Sequence, residues 1–444
     1  MKTKAIIENG FKETENGLVP EDWETTTLEN EKLFKFTNGL WKGKKAPFVT
    51  VKVIRNTNFN NDGTLSLDNV AELDIEERQF IKRQLSEGDI ILERSGGGPK
   101  QPVGRVVFFD LKEGNYSFSN FTTRIRIEDI NTMQPKYILY YLLHFYNRGC
   151  TYELQQRTTG IRNLNFTDYK KIQIPLLFLP EQHKIVHVLS KIQQATEQQN
   201  RIIKTTRELK KSLMNKLFTE GLHGEEQKET EIGLMPKSWD AIYVQDCCEV
   251  VTGGTPRTEV REYYKEGSIR WMKSGDINTK PIYEVKNRIT QLGLENSNAR
   301  LMPEGTVVIA LSGRGKTRGT TSVLMVDCTC SQSVAGMIPD PEKIDSFYLN
   351  YYMAYNYDKV RNITGDKDRS GLNLGLVRLI KIAKPKSTVE QKEIADAILS
   401  IDKKIWQAEP KKQTLQALFR TMLNQLMTGK IRVKDLDFEV KENV

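Results

Sequence analysis

The chain has 444 residues, with 66 Lys and Arg against 57 Asp and Glu, which gives a formal net charge of +9. This length allows roughly two to four domains with cores of their own, and the positive balance suits a polyanionic partner without requiring one. Five cysteines with no C-x-x-C spacing argue against a disulfide framework and favour a reducing, cytoplasmic location. A polar N-terminus predicts no signal peptide, and the most apolar run is too short to cross a bilayer.

The beginning of the chain returns later in the sequence. Residues 12–23 return as residues 228–239, sharing Lys-Glu-Thr-Glu and Gly-Leu-x-Pro-x-x-Trp. A Glu-Gln pair at 181–182 likewise returns at 390–391, and each pair opens a long apolar-periodic stretch. The repeated unit is far longer than solenoid repeats of about 20 to 50 residues. It therefore predicts a duplicated module.

Each module begins with a mixed region in which short β-rich runs alternate with Gly, Asn and Pro. The clearest runs are 103–109 in the first module and 306–311 in the second. A tyrosine-rich segment follows each of them, at 137–143 and 347–353, and we expect these segments to be helices that pack on a core. The mixed regions are therefore predicted to have an α+β fold.

Each mixed region is followed by a long predicted helix. The second of these helices carries apolar residues in an a/d pattern over several heptads, and they are Ile394, Ile398, Ile401, Ile405, Ala408, Leu415, Phe419, Met422 and Leu426. Ser387 with Glu390, or Thr388 with Gln391, is a candidate capping box at its start. Pro410 predicts a kink or a short break.

The first long helix has a weaker apolar stripe, which Thr196, Gln199 and Asn200 interrupt. Because exposed apolar stripes need covering, we expect the two helices to pair as an antiparallel coiled coil. In the alternative, each helix lies on its own domain. The predicted division of the chain is a first mixed domain at 1–179, a first long helix at 180–222, a second mixed domain at 223–387, a second long helix at 388–430 and a C-terminal tail at 431–444.

Several basic clusters are candidates for contacts with nucleic acid. Glycine-rich loops between strands carry Arg94, Lys100 and Arg105 in the first module and Arg314, Lys316 and Arg318 in the second. Glycine lets the backbone approach a phosphodiester, while Arg and Lys contact phosphates or guanine edges. Further candidates in predicted loops are Lys42, Lys44, Lys45, Arg157, Arg162, Arg257, Arg261, Lys367 and Arg369. The glycine-rich basic loop recurs in both modules, which favours a contact with DNA over a solvated hairpin, whereas the further candidates are equally compatible with an ordinary solvated surface.

One segment has the form of a catalytic motif. Residues 310–317 satisfy a relaxed Walker A pattern that ends in Gly-Lys-Thr, but a phosphate-binding loop must lead into a helix. The residues that follow read as a strand, and the counterpart loop of the first module lacks the Gly-Lys-Thr triplet. His183 and His187 have a spacing that can chelate zinc, yet no third ligand completes a site. We therefore predict no catalytic, cofactor or metal site on this chain.

Taken in order, these features resemble the specificity subunits of type I restriction-modification enzymes. The resemblance is carried by Gly-Leu-x-Pro-x-x-Trp at the start of each module and by Glu-Gln at the start of each long helix. Leu-Met-Asn-Lys-Leu-Phe-Thr at 213–219 and Met-Leu-Asn-Gln-Leu-Met-Thr at 422–428 close the helices. No single mark is specific, but their doubled order at a nearly constant offset is, and it covers essentially the whole chain.

The resemblance implies a non-catalytic subunit in which two target recognition domains alternate with two spacer helices. Each domain would read one half of an asymmetric bipartite site in double-stranded DNA, while the helices act as a ruler and as docking surface for two methyltransferase subunits. It places S-adenosylmethionine, ATP and Mg2+ on partner subunits, with restriction subunits outside the methyltransferases. The alternatives are a nucleotide hydrolase using Lys316 and a coiled-coil adaptor that binds protein.

Overall fold

The computed structural model describes residues 10–14, 17–40, 43, 45–98, 101–158, 161–278, 280–313, 315–363 and 371–433. The chain divides into two units, one formed by residues 1–200 with 410–444 and the other by residues 201–409. Each unit therefore contains one mixed module and about half of each long helix. No helix in the described ranges is long and apolar enough to span a membrane.

The first module consists of short strands with a few helices between them. Its elements are β1 (Phe11–Thr14), β2 (Gly17–Pro20), β3 (Glu24–Thr27), β4 (Phe34–Asn38), β5 (Phe48–Ile54), β6 (Ala71–Glu76), α1 (Glu77–Arg83), β7 (Ile90–Glu93), β8 (Ser95–Gly97), β9 (Val106–Phe108), β10 (Tyr116–Phe118), β11 (Thr122–Ile127), α2 (Pro135–Asn147), β12 (Gln155–Thr158), β13 (Ile161–Leu164), α3 (Phe166–Lys170) and β14 (Gln173–Leu176). The long helix α4 (Leu179–Glu220) follows. Single 3-10 turns lie at Asn56–Asn58 and Cys150–Tyr152.

The second module repeats this order with fewer strands. Its elements are β15 (Gln227–Thr230), β16 (Gly233–Pro236), β17 (Asp240–Tyr243), α5 (Val244–Cys247), β18 (Cys248–Thr252), β19 (Ile269–Met272), β20 (Arg288–Ile289), α6 (Gln291–Glu295), β21 (Val307–Ala310), β22 (Thr321–Val323), β23 (Thr329–Cys330), β24 (Val334–Pro339), α7 (Ser346–Tyr355), α8 (Tyr357–Arg361), α9 (Leu374–Arg378) and β25 (Lys381–Lys384). The long helix α10 (Thr388–Met427) follows. Single 3-10 turns lie at Arg261–Tyr263 and Ser274–Asp276.

An antiparallel four-stranded sheet is central to each module. Its strand order is β4-β11-β7-β9 in the first module and β18-β24-β21-β22 in the second. A smaller three-stranded sheet accompanies it, with order β10-β5-β6 in one module and β20-β19-β23 in the other. The two modules therefore share one α+β architecture, as the repeated sequence marks predict.

The tyrosine-rich helices α2 and α7 are core elements, which confirms the prediction made for them. Tyr137 and Tyr348 are fully buried, and each hydroxyl donates to a carbonyl of the strand before the long helix. The acceptors are Pro175 O at 3.1 Å and Ala383 O at 2.7 Å. Since a buried hydroxyl needs a hydrogen-bond partner, this contact fixes the helix against that strand.

The predicted antiparallel pairing of the long helices is confirmed, and it is seen separately within each unit. In the first unit, Leu189 of α4 and Leu423 of α10 belong to one core cluster. In the second, Lys210 Nζ binds Asp402 at 2.7 Å and Arg207 binds Glu409 at 2.8 Å. Residue numbers rise along α4 while they fall along α10, so the helices run in opposite directions.

Two details of α10 bear on the sequence expectations for its proline and for its N-terminal cap. The helix continues through Pro410 without a break, because one proline removes a single backbone donor while the hydrogen bonds of neighbouring residues continue the helix on both sides. At its start, Ser387 Oγ accepts from Val389 N at 3.2 Å, so Ser387 is the cap. Gln391 is not part of a capping box, since its buried amide bonds to backbone outside the helix.

Candidate DNA-binding surfaces

Loops that are distant in sequence meet at one edge of each four-stranded sheet. In the first module β4 and β7 end where β11 begins, since Asn38 pairs with Thr123 and Glu93 with Thr122. We call this edge, with the described residues of segments 39–47, 94–105 and 119–121, the first loop edge. Because neighbouring strands are antiparallel, the ends of the outer strands and the start of the middle strand lie side by side.

The second module has the same arrangement. Thr252 at the end of β18 pairs with Ala335, and Ala310 at the end of β21 pairs with Val334. We call this edge, with the described residues of segments 253–261, 271–274, 311–320 and 331–333, the second loop edge. The glycine-rich basic loop and the loop after the first strand of the sheet, which the sequence analysis treated as separate candidates, therefore belong to one surface in each module.

Among the described residues of the first loop edge, Arg94 is a cation that two other side chains hold in place. Its Nη1 donates to Asn38 Oδ1 at 2.9 Å, and its guanidinium carbon lies 4.2 Å from the centre of the Phe166 ring. Burial lowers the pKa of Arg94, but an arginine remains protonated at neutral pH. A charged planar group held in this way is suited to a phosphate or a guanine edge.

A small sheet joins a further predicted cluster to this edge. Strand β8 of the glycine-rich loop pairs with β13, and Ser95 Oγ is 2.5 Å from Asn163 Oδ1. Arg162 lies on β13 and is half-buried, with Nη1 3.4 Å from Gln155 Oε1. The hairpin that carries Arg162 is thus continuous with the loop that follows Arg94, although the bonded pair Ser95 and Asn163 is 68 positions apart in sequence.

Arg105 does not belong to the exposed surface, and we withdraw it as a candidate DNA contact. Its side chain is buried, and its guanidinium makes two hydrogen bonds of 2.8 Å to Glu93. Two of its three remaining N–H groups donate to the carbonyls of Phe59 and Asn56. A guanidinium used in this way within the protein has little left to offer a phosphate, so its role is structural.

The other predicted cations fall into those that lie among the described residues and those that lie outside them. Arg257, Arg261 and Lys316 are exposed at the second loop edge, and Arg318 is half-buried there. Lys45 is exposed at the first, where its backbone N–H donates to Glu76 Oε1 at 2.7 Å. Strand β12 contains Arg157. The candidates that lie outside the described residues are Lys42, Lys44, Lys100, Arg314, Lys367 and Arg369.

Three neighbouring polar and aromatic residues of the second loop edge were missed by sequence reasoning. Trp271, Lys273 and Gln332 line a groove of about 320 Å3, and Lys273 Nζ lies 4.9 Å from the centre of the Trp271 ring. Gln332 is uncharged, and the residue it contacts, Thr255, is 77 positions away. No local pattern could therefore have singled it out.

The loop around Lys316 is a hairpin connection and not a P-loop. Strand β21 is followed by β22, which pairs with it antiparallel, whereas phosphate binding in a P-loop requires a helix N-terminus after the loop. Ala310 N donates to Thr320 O at 3.0 Å and Gly319 N to Ala310 O at 2.9 Å, which closes the hairpin. The alternative of a nucleotide hydrolase is therefore wrong. Within the described residues there is also no cluster of three or more His, Cys, Asp or Glu side chains suited to a metal.

Comparisons with known proteins agree with this two-module architecture. The family model for the type I restriction modification DNA specificity domain matches residues 20–206 and 236–417. From Methanocaldococcus jannaschii, the putative type I restriction enzyme MjaX specificity subunit is 26% identical over 431 residues, covering 96% of this chain and 98% of the relative. The MjaVIII specificity subunit of the same organism is 26% identical over 450 residues, covering 97% and 98%.

The fold also has a counterpart among solved structures. The S subunit of a type I restriction-modification system from M. genitalium matches with a TM-score of 0.61 at 17% identity, over 96% of this chain and 99% of that chain. At this identity the likeness concerns the fold. The two family-model matches together cover well over half of the sequence, and the chain therefore belongs to the type I restriction-modification DNA specificity family.

Proposed function

We propose that this chain is the DNA-reading subunit of a type I restriction-modification complex, with each module reading one half of an asymmetric bipartite site. The observation that carries the proposal is the pair of loop edges, built on equivalent strands and furnished with different side chains. Arg94 follows β7 at the first edge, whereas Leu311 follows β21 at the second. Phosphate contacts position a protein on DNA and base contacts specify the sequence, so edges that differ in this way should read different words.

The long helices have a separate task in this proposal. They serve as the ruler between the half-sites and as docking surface for two methyltransferase subunits, and restriction subunits join outside these. Support comes from the ion pairs Lys210–Asp402 and Arg207–Glu409, which connect the two helices. S-adenosylmethionine, ATP and Mg2+ would be bound by the partner subunits, in the cytoplasm.

The experiment that tests the proposal is sequencing of methylated positions in DNA from cells that contain the methyltransferase with and without this chain. The expected result is a bipartite methylated motif that depends on the chain. Exchange of residues 240–384 for the matching segment of a related specificity subunit should then change one half of the motif and leave the other half intact. A change in both halves, or no dependence on the chain, would overturn the proposal.

Salt dependence supplies an independent check on DNA retention. Phosphate contacts alone weaken steeply as salt rises, and a protein that makes about 6 to 10 of them loses roughly a thousandfold or more in affinity between 50 and 200 mM salt. The complex should keep its preference for the bipartite duplex over an unrelated duplex as salt rises. Equal retention of both duplexes at every salt concentration would leave only nonspecific binding.

A further inference from the structure

The groove at the second loop edge is held rigid by its own hydrogen bonds. The loop 331–333, between β23 and β24, is fixed on two sides, since Leu311 N donates to Ser333 O at 2.9 Å and Ser274 N to Ser333 Oγ at 3.1 Å. On the opposite wall, Trp271 Nε1 donates to Gly254 O at 3.0 Å. A recognition residue is effective when the elements around it are fixed in this way.

Gln332 stands at the exposed tip of this fixed loop with its amide already oriented. Thr255 Oγ1 lies 2.6 Å from Gln332 Oε1, a separation typical of O–H···O bonds and short for N–H···O bonds. Thr255 therefore donates and the Gln332 carbonyl oxygen accepts. Gln332 is exposed, and among the described residues its one side-chain hydrogen bond is the one from Thr255, which leaves both N–H groups and the second lone pair of Oε1 available to a ligand.

We propose that Gln332 is a specificity-determining residue that reads an adenine in the half-site bound by the second module. Its Oε1 accepts from the N6 amino group of adenine and its Nε2 donates to N7, the bidentate arrangement through which glutamine distinguishes adenine in the major groove. Thr255 is a positioning residue that holds the amide in the required orientation. This inference rests on the proposed function and adds a residue and a base to it.

The surroundings of Gln332 favour DNA as the ligand of this groove. Lys273, lying over the Trp271 ring, places a cation on the same groove, and Arg257 and Lys316 are exposed on the adjoining loops. Cations on the rim would contact phosphates while the amide reaches a base edge. The first module has Asn120 at the matching tip, which is also exposed, but we extend the inference only to Gln332, where the orienting hydroxyl is seen.

The test uses the full chain in complex with its methyltransferase and two readouts, the methylated motif and competition binding with duplexes that differ at one base pair. Gln332→Ala should make one adenine position of the second half-site degenerate, lowering its discrimination by roughly ten- to hundredfold. Gln332→Glu should shift the preference at the same position toward cytosine, whose amino group a carboxylate accepts from. The other half-site and the spacing should stay unchanged.

Matched variants separate base reading from a structural effect. Thr255→Val should weaken discrimination at the same position, and Thr255→Ser, which keeps the donor hydroxyl, should restore it. Gln227→Ala changes an exposed glutamine of the hairpin β15–β16 in the same module and should leave the motif intact.

The outcomes also distinguish this inference from the function on which it rests. If the unmodified chain directs no bipartite methylation, the proposed function fails. If it does, and the Gln332 variants retain the full motif, alter the other half-site or lose all methylation while the complex still assembles, the assignment of Gln332 is overturned and the proposed function stands.

Discussion

The glutamine of the repeated Glu-Gln pair is buried and hydrogen-bonds the long helix to neighbouring backbone. We call this set of hydrogen bonds the joint, and its stability can be measured. Gln391 is fully buried. Its side chain connects α10 to the segment that precedes α7 and to the segment that precedes α10 itself. Its Oε1 accepts from Asp345 N at 2.9 Å, and its Nε2 donates to Lys343 O and Pro385 O, each at 3.2 Å. Gln391→Leu keeps the approximate volume but removes all three bonds.

The expected cost of Gln391→Leu follows from these three bonds. At a net contribution of about 1 kcal/mol per bond, the local stability of the joint should fall by about 3 kcal/mol, or somewhat more because backbone groups stay buried without partners. Hydrogen–deuterium exchange of the full chain measures this directly, since the Asp345 amide is one of the donors. Exchange limited by local opening should accelerate by about a hundredfold at this amide.

Controls make this result interpretable. Gln413→Leu alters an exposed glutamine of the same helix and should leave exchange at Asp345 unchanged. Gln182→Leu removes the equivalent contacts of the first module, where Oε1 accepts from Gln134 N at 2.8 Å, and should accelerate exchange there and not at Asp345. If the exchange rate of the Asp345 amide were the same in Gln391→Leu and in the unmodified chain, the stabilising role assigned to Gln391 would be refuted.

Three further perturbations test other parts of the structure. Lys210→Ala leaves the buried Asp402 carboxylate without its cation and should lower the free energy of unfolding by about 3 kcal/mol, whereas Lys210→Met with Asp402→Leu should recover most of this in urea titrations. Arg105→Ala, which strands the buried Glu93, should cost about as much and leave the methylated motif unchanged, which sequencing of the motif checks. Burial lowers the pKa of His144 below the unfolded value of about 6.5, so the unfolded chain binds a proton first as pH falls. The free energy of unfolding should therefore decrease below about pH 6.5. His144→Gln should reduce this decrease, which urea titrations at several pH values measure.

Features with a short sequence period were predictable, because they depend on residues close together in the chain. The a/d spacing in α10 predicts a helix that pairs with a second helix. The tyrosine-rich segments predict helices that pack on a core, and Tyr137 and Tyr348 are buried there. Of the kink or short break predicted at Pro410, the break is absent, since α10 is continuous through this residue. Local rules therefore identified these elements, and a single proline did not end the helix.

The composition of the loop edges was only partly predictable, because it depends on strand order. Positive charge and glycine drew attention to Arg94 and Arg105 alike, yet one faces the loop edge and the other is buried against Glu93. Charge in a sequence does not distinguish these two environments. The contact of Gln332 with Thr255 arises only when β24 lies beside β18, and no pattern along the sequence predicts that pairing.

The glycine-rich loop explains how one frame can carry two different recognition surfaces. In the first module Glu93 N donates to Arg105 O at 2.8 Å and Gly104 N to Glu93 O at 3.1 Å, and the second module forms the same pair of backbone bonds between Ala310, Gly319 and Thr320. Both glycines have positive φ, +105° and +83°, a conformation that side-chain-bearing residues adopt only at a cost.

The two side chains at the base of this loop differ between the modules, and both are replaced together. The first module places a carboxylate and a guanidinium there, whereas the second places Ala310 and Thr320. A buried charge without its partner costs several kcal/mol, while removing both charges together is tolerated. Because the bonds that close the loop are made by backbone, the residues between them can change without loss of the hairpin. The recognised base sequence can therefore vary at the loop edges while the sheet, the joint glutamines and the paired helices stay the same.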